Sequence, residues 1–216
     1  MTVRAVAAVD LGATSGRVMI GRIGDGRLVL ELVSRFPNGP VEREDGLHWD
    51  FGALYEHVVA GLAEAVRREP GIESIGIDSW AVDYGLVKDG ELLAEPFHYR
   101  DDRTVRGVAE VHAEAPFAEL YQRNGLQFLP FNTLYQYRVE ARLADADTAL
   151  LIPDLIAFLL TGTSVAERTN ASTTGLLGVE SGEWDSELAE RLGIPSSILP
   201  TLVDPCLLYT SDAADE

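Results

Sequence analysis

Residues 8–17 read AVDLGATSGR, an apolar strand end followed by a carboxylate, two hydroxyls and a guanidinium within eight positions. Each residue type suits phosphate handling. Asp10 ends an apolar run, so its carboxylate projects where a ligand can sit. Mg2+ keeps most of its waters and takes one or two carboxylates, so Asp10 can hold it through water. Gly12 lets a ligand approach the backbone closely. Thr14, Ser15 and the turn amides can donate to phosphate oxygens, and Arg17 can grip a phosphate at two points. A bare D-x-G is more often a hairpin with its polar groups in solvent. The whole string, with an apolar strand on each side, argues for the phosphate reading.

Other nucleotide motifs do not compete, because there is no GxxxxGK[ST] and no GxGxxG after a strand. His48, His57, His98 and His112 share no metal-ligand spacing, and a single cysteine, Cys206, allows neither an internal disulfide nor a cysteine zinc site. The formal charge is −18, from 35 acidic and 17 basic residues. That balance argues against nucleic acid or an anionic membrane as partner, while leaving room for a small anionic ligand held by local donors. Asp10 cuts short the N-terminal apolar run, so no signal peptide is expected. The run 149–160 contains Pro153 and Asp154 and is too short to span a bilayer. A cytoplasmic protein is the expectation.

The elements that must carry these residues alternate between strand and helix patterns, as in an α/β protein. Val3–Val9, Arg17–Ile23 and Arg27–Phe36 read as an antiparallel meander, its second turn marked by Gly24-Asp25-Gly26. Asp50 is placed to cap a helix whose apolar residues Phe51, Leu54, Val58 and Leu62 recur at helical spacing until Pro70-Gly71. Ile72–Trp80 should then return to the same sheet as a central strand. Leu86–Leu93 reads as a hairpin about Asp89-Gly90. The chain turns helical after Thr104, with further helices expected at Pro116–Asn124, Thr133–Leu143 and Pro153–Thr161, and a short one from Trp184-Asp185 to Gly193.

The AVDLGATSGR string resembles the first phosphate-binding hairpin of actin-like ATPases. Five further runs, SIGIDSWAVDYGLV, YRDDRT, YQRNGLQFLPFNTLYQ, DLIAFLLTG and TNASTTGLL, resemble the FGGY family of carbohydrate kinases. The resemblance implies an actin-like ATPase (ribonuclease H-like) α/β domain forming the incomplete N-terminal half of a two-domain sugar kinase. It covers residues 1–205, and 206–216 reads as a non-native tail. The implied chemistry is ATP- and Mg2+-dependent phosphorylation of a small ketose. Within the family the runs resemble the branch that converts L-rhamnulose to its 1-phosphate. A sister kinase for fuculose or xylulose, or a non-catalytic sugar- or nucleotide-binding module, stays open as an alternative.

By the same resemblance Ala13, Thr14, Ser15, Gly16 and Arg17 meet the ATP phosphates, and Asp10 holds the metal through water. The backbone at Ala81, with Asp83 close by, meets the sugar. Relatives often carry glycine where Ala81 stands, so the methyl group can narrow the pocket. The family's catalytic carboxylate follows a later strand in a segment resembling His-Asp-Thr. No such run occurs here, so no catalytic residue is assigned and the fragment alone is expected to be inactive. Trp80 can stack on a sugar or belong to the core. Arg100, Asp101, Asp102 and Arg103 can reach sugar hydroxyls or form a salt-bridge cluster. Asn132 reads as a helix cap. Phe128, Phe131 and Tyr135 read as packing or a subunit contact.

Overall fold

A computed structural model describes residues 3–205, and Cys206 and the rest of the 206–216 tail lie outside the described residues. The chain divides into two compact units, 1–41 with 49–80, and 42–48 with 81–216.

The first unit is built on strands β1 (Arg4–Leu11), β2 (Ser15–Gly24) and β3 (Arg27–Pro37), the expected meander. Asp25 and Gly26 both take positive φ, 50° and 70°, the conformation that a two-residue hairpin turn demands and that selects an Asp-Gly pair. A third hairpin, β4 (Pro40–Arg43) and β5 (Gly46–Trp49), leads into helix α1 (Phe51–Arg68). The Asp50 carboxylate accepts from Ala53 N–H at the helix start, as expected. Strand β6 (Ile72–Ser79) runs parallel to β1.

The sheet order is β3-β2-β1-β6, so among the described residues β6 closes the sheet at one end and is not the expected central strand. Period-two alternation explains the two faces. Ala5, Ala7, Val9 and Leu11 of β1 and Val18 and Ile20 of β2 are buried, as are Phe51, Leu54, Val58 and Leu62 of α1. The opposite face carries Ile23, Leu28, Leu30 and Leu32, each about half exposed.

In the second unit β7 (Tyr84–Lys88) pairs with β8 (Glu91–Leu92) through the Asp89-Gly90 turn. Helices α2 (Thr104–Glu114), α3 (Phe117–Asn124) and α4 (Thr133–Arg138) follow. Strand β9 (Thr148–Leu151) pairs antiparallel with β7 and runs directly into α5 (Ile152–Thr161), which stops at left-handed Gly162. Strand β10 (Val165–Glu167), helices α6 (Arg168–Ala171) and α7 (Ser186–Arg191), and strand β11 (Thr201–Val203) complete it, with β10 and β11 parallel. Tyr84, Leu86, Val111, Leu134, Tyr135, Leu151, Leu176 and Leu192 share one core.

The Glu42–His48 segment belongs to this unit. Leu47 N–H donates to Asp101 Oδ2 (2.7 Å), Leu47 C=O accepts from His98 N–H (2.8 Å), and His48 bridges to Phe97.

Helix α4 ends at Arg138, five residues short of the expected Leu143. Two side chains pull the chain away. Arg138 reaches Glu110, Glu114 and the Leu192 carbonyl, while Glu140 turns onto Arg103. Tertiary ion pairs here outweigh local helix propensity.

Candidate functional site

The first unit holds the phosphate-turn candidates. Asp10 and Arg17 are direct cross-strand neighbours at the mouth of the β1–β2 hairpin, and their side chains form an ion pair of 3.1 Å, each nearly half exposed. Asp78 of β6 lies beside Asp10 in register. Ala13 and Thr14 form the tip, and Gly12 N–H donates across it to Ser15 C=O (3.0 Å). Gly16 lies in β2 and is buried, where any Cβ would collide with the Phe36 ring and Leu11. Glycine is required there by packing, whatever the turn binds.

Asn38 braces this turn from outside. Its Nδ2 donates to Gly12 C=O (2.8 Å) and its N–H to Thr14 C=O (3.1 Å). The nearest sequence signal is the Asn-Gly-Pro run itself, which reads equally well as an ordinary loop.

The donor set at Asp10 suits a heavily hydrated cation. No group of three or more His, Cys, Asp or Glu placed to hold a metal occurs among the described residues. Asp10 and Asp78 supply two carboxylates and Arg17 already occupies one oxygen, so an ion here would be held through its waters. That matches the chemistry of Mg2+.

The second unit holds the sugar-side candidates. Ala81, Val82 and Asp83 form a three-residue turn in which Asp83 N–H donates to Ala81 C=O (2.9 Å). Val82 stands at φ 69°, left-handed backbone that a β-branched residue rarely adopts. Such a conformation costs on the order of 1–3 kcal/mol and persists only where its surroundings hold it. Here two side chains of α4 hold the Val82 carbonyl, Thr133 Oγ1 (2.7 Å) and Gln136 Nε2 (3.3 Å). Each contributes about 0.5–1.5 kcal/mol, enough together to offset the strain.

Asp83 is fully buried, accepting from Tyr99 N–H (3.1 Å) and Gln136 Nε2 (3.0 Å). Tyr99 in turn packs against Phe131, ring centroids 5.4 Å apart. Gln136 Oε1 faces the other way and accepts from Arg103 Nη2 (3.2 Å). Arg103 also donates to Glu140 (2.9 Å) and lies over the Phe97 ring at 3.8 Å. Burial holds the Tyr84 hydroxyl protonated well above its ordinary range, and it donates to the same Glu140 oxygen. A cavity of about 260 Å³ opens beside this network, lined in part by His48, Tyr84, Leu86, Phe97 and Arg103.

The remaining candidates divide. Asp101 and Arg103 form an internal cluster, while Arg100 and Asp102 are exposed. Trp80 packs on buried Trp49, ring centroids 4.1 Å apart. Asn132 sits at the start of α4, but its amide donates to Gln127 C=O (3.1 Å) and makes no cap bond. Tyr135 is buried with its hydroxyl on His112 Nε2 (2.9 Å), and Phe128 packs beside it. His98 is buried and accepts from Arg100 N–H, and burial with the nearby Arg100 charge pushes its ring down to about 4.

Comparison with known proteins finds relatives along nearly the whole chain. The chain is 43% identical to rhamnulokinase of Enterococcus faecalis over 208 residues, covering 94% of this chain and 42% of that protein. It is 39% identical to rhamnulokinase of Bacillus subtilis over 203 residues, covering 92% of this chain and 41% of that one. It therefore spans less than half the length of the curated relatives it matches. Among solved structures, gluconate kinase from Lactobacillus acidophilus superposes with a TM-score of 0.81 at 22% identity, over 94% of this chain and 42% of that chain. Xylulose kinase from the same organism gives 0.80 at 21% identity, with the same coverage. These two establish the α/β fold expected from the actin-like resemblance. The N-terminal domain of the FGGY family of carbohydrate kinases matches residues 5–208, and the chain belongs to that family.

Proposed function

We propose that this chain forms the nucleotide-turn and sugar-binding part of an ATP-dependent ketose kinase, with L-rhamnulose as the sugar and L-rhamnulose 1-phosphate as the product. The identity to rhamnulokinases across nearly the whole chain carries the choice of sugar. The observation that carries the kinase chemistry is the Asp10–Arg17 pair at the mouth of a braced turn. An ion pair this exposed is worth about 0.2–1 kcal/mol, so Arg17 can exchange its Asp10 contact for a phosphate oxygen at small cost. Ala13, Thr14, Ser15 and Gly16 then offer backbone and hydroxyl donors to the ATP phosphates. Asp10 would orient a hydrated Mg2+, which when bound neutralises charge on the transferring phosphoryl group.

On the sugar side, the proposal gives the Ala81 backbone the contact to the ketose, with buried Asp83 close behind it, held by Tyr99 N–H and Gln136 Nε2. Phosphoryl transfer needs a carboxylate base near the attacking hydroxyl. We assign that role to no residue of this chain, and residues 1–205 alone are accordingly proposed to be an inactive N-terminal domain. Cytoplasmic location, ATP and a free ketose as partners belong to the same proposal.

The test is coupled ADP release from the full-length gene product against L-rhamnulose, L-fuculose, D-xylulose and L-ribulose, compared as kcat/KM. A preference for another ketose overturns the rhamnulose assignment. Turnover by residues 1–205 alone overturns the inactivity.

A further inference from the structure

The Ala81–Asp83 turn is strained and buried at Val82, whose carbonyl is held by α4, while Tyr99 N–H and Ile152 N–H hold Asp83, and that combination has a functional reading. Gln136 is the shared partner. Its Nε2 faces three oxygens, Val82 C=O (3.3 Å), Asp83 Oδ1 (3.0 Å) and Phe131 C=O (3.0 Å), while its Oε1 accepts from Arg103. With the amide nitrogen and oxygen committed to opposite sides, the side chain has one orientation. Thr133, one helical turn earlier, adds the 2.7 Å bond to Val82 C=O. A relaxed Val82 would return to negative φ and swing both neighbours, Ala81 and Asp83, away from their present positions.

We propose that Gln136, assisted by Thr133, is a positioning residue that locks Val82 in its left-handed conformation and so sets the Ala81 backbone and Asp83 for the sugar. This rests on the reading of Ala81 and Asp83 as the sugar side. Gln136 touches neither sugar nor phosphate; it acts through the turn. The clamp also ties the turn to Arg103 and its partner Glu140, so that displacement of the α2 start is felt at Val82.

The variants are Gln136→Met, which keeps length and removes every hydrogen bond, Val82→Gly, and the two together. Glycine takes φ near 70° without steric cost, so it removes the reason for the clamp. Two readouts are taken on the full-length gene product. The first is hydrogen exchange of the peptide covering 81–87 without sugar, which needs no activity. Gln136→Met should raise exchange there at least tenfold, and Val82→Gly in the same chain should restore most of the protection. The second is steady-state kinetics. Gln136→Met should raise the ketose KM tenfold or more with the ATP KM within twofold, and the double variant should recover most of the loss.

Unchanged exchange in Gln136→Met, or no recovery on adding Val82→Gly, overturns the clamp. Altered exchange with an unchanged ketose KM overturns the positioning role. An unmodified protein that phosphorylates no ketose overturns the kinase reading instead, and the clamp is then decided by hydrogen exchange alone.

Discussion

Asp154 offers a sharp test of the physical reasoning, because its environment contradicts its charge. It lies in the first turn of α5, buried, with Oδ1 accepting weakly from Glu167 N–H (3.3 Å) and Oδ2 without a hydrogen-bond partner. Burial pushes its carboxyl up to about 7 from an ordinary 3.8, and the Glu167 charge adds to the rise. A helix N-terminus favours an anion by about 0.3–1 kcal/mol, too little to reverse a burial penalty of this size. The folded chain therefore keeps a proton that the unfolded chain loses above pH 4. Stability from this group is full below about pH 4, falls as pH rises, and is gone above about pH 7. The separation corresponds to about 4 kcal/mol as an upper figure. Asp154→Asn removes the titration without changing size. Urea midpoints for both proteins from pH 4 to 9 isolate the effect, since every other group cancels in the difference. The curves should nearly meet at pH 4 and diverge by up to about 4 kcal/mol in favour of the variant by pH 8. A difference that stays constant with pH would show that Asp154 is ionised in the folded chain and refute the argument.

Three other outcomes are expected. Asp10→Ala in the full-length gene product should lower kcat at least a hundredfold while leaving ketose affinity within threefold by calorimetry; undiminished turnover sinks the metal role of Asp10. Gly16→Ala should destabilise the first unit by about 1–3 kcal/mol through collision with Phe36 and Leu11, read as a lowered urea midpoint. His98, held neutral to about 4, contributes stability that is complete above about pH 6.5 and is lost as pH falls toward 4; His98→Gln should flatten that acid limb, and an unaltered limb counts against it.

The hairpin that pairs Asp10 with Arg17 was legible because its parts are contiguous. Asp10, the tip and Arg17 lie within eight positions, and strand pairing alone brings the two charges together. The meander, α1 and the parallel return of β6 follow from apolar spacing and Asp-Gly turns. The turn at Val82 was not legible. Nothing in the run WAVDY announces a left-handed valine, and its clamp comes from Gln136, 54 positions away. Asn38 reaches back 26 positions in the same manner. Strand β9 was hidden because four residues of an apolar run feeding a helix have no period to read. Arg103 read as one of four loop residues that either reach sugar hydroxyls or form a salt-bridge cluster, and only its stacking on Phe97 and its bond to Glu140 make it internal.

The Glu42–His48 segment has a consequence in time. It is made early, yet its partners Phe97, His98 and Asp101 come about fifty positions later. At about 5–20 residues per second, a growing chain completes β6 while this hairpin, its two strands already paired with each other, waits some 3–10 s for Phe97, His98 and Asp101. During that interval the first unit can close its sheet, since its strands all precede residue 80. Synthesis itself thus orders assembly, with the hairpin tip as the last piece of early sequence to find its place.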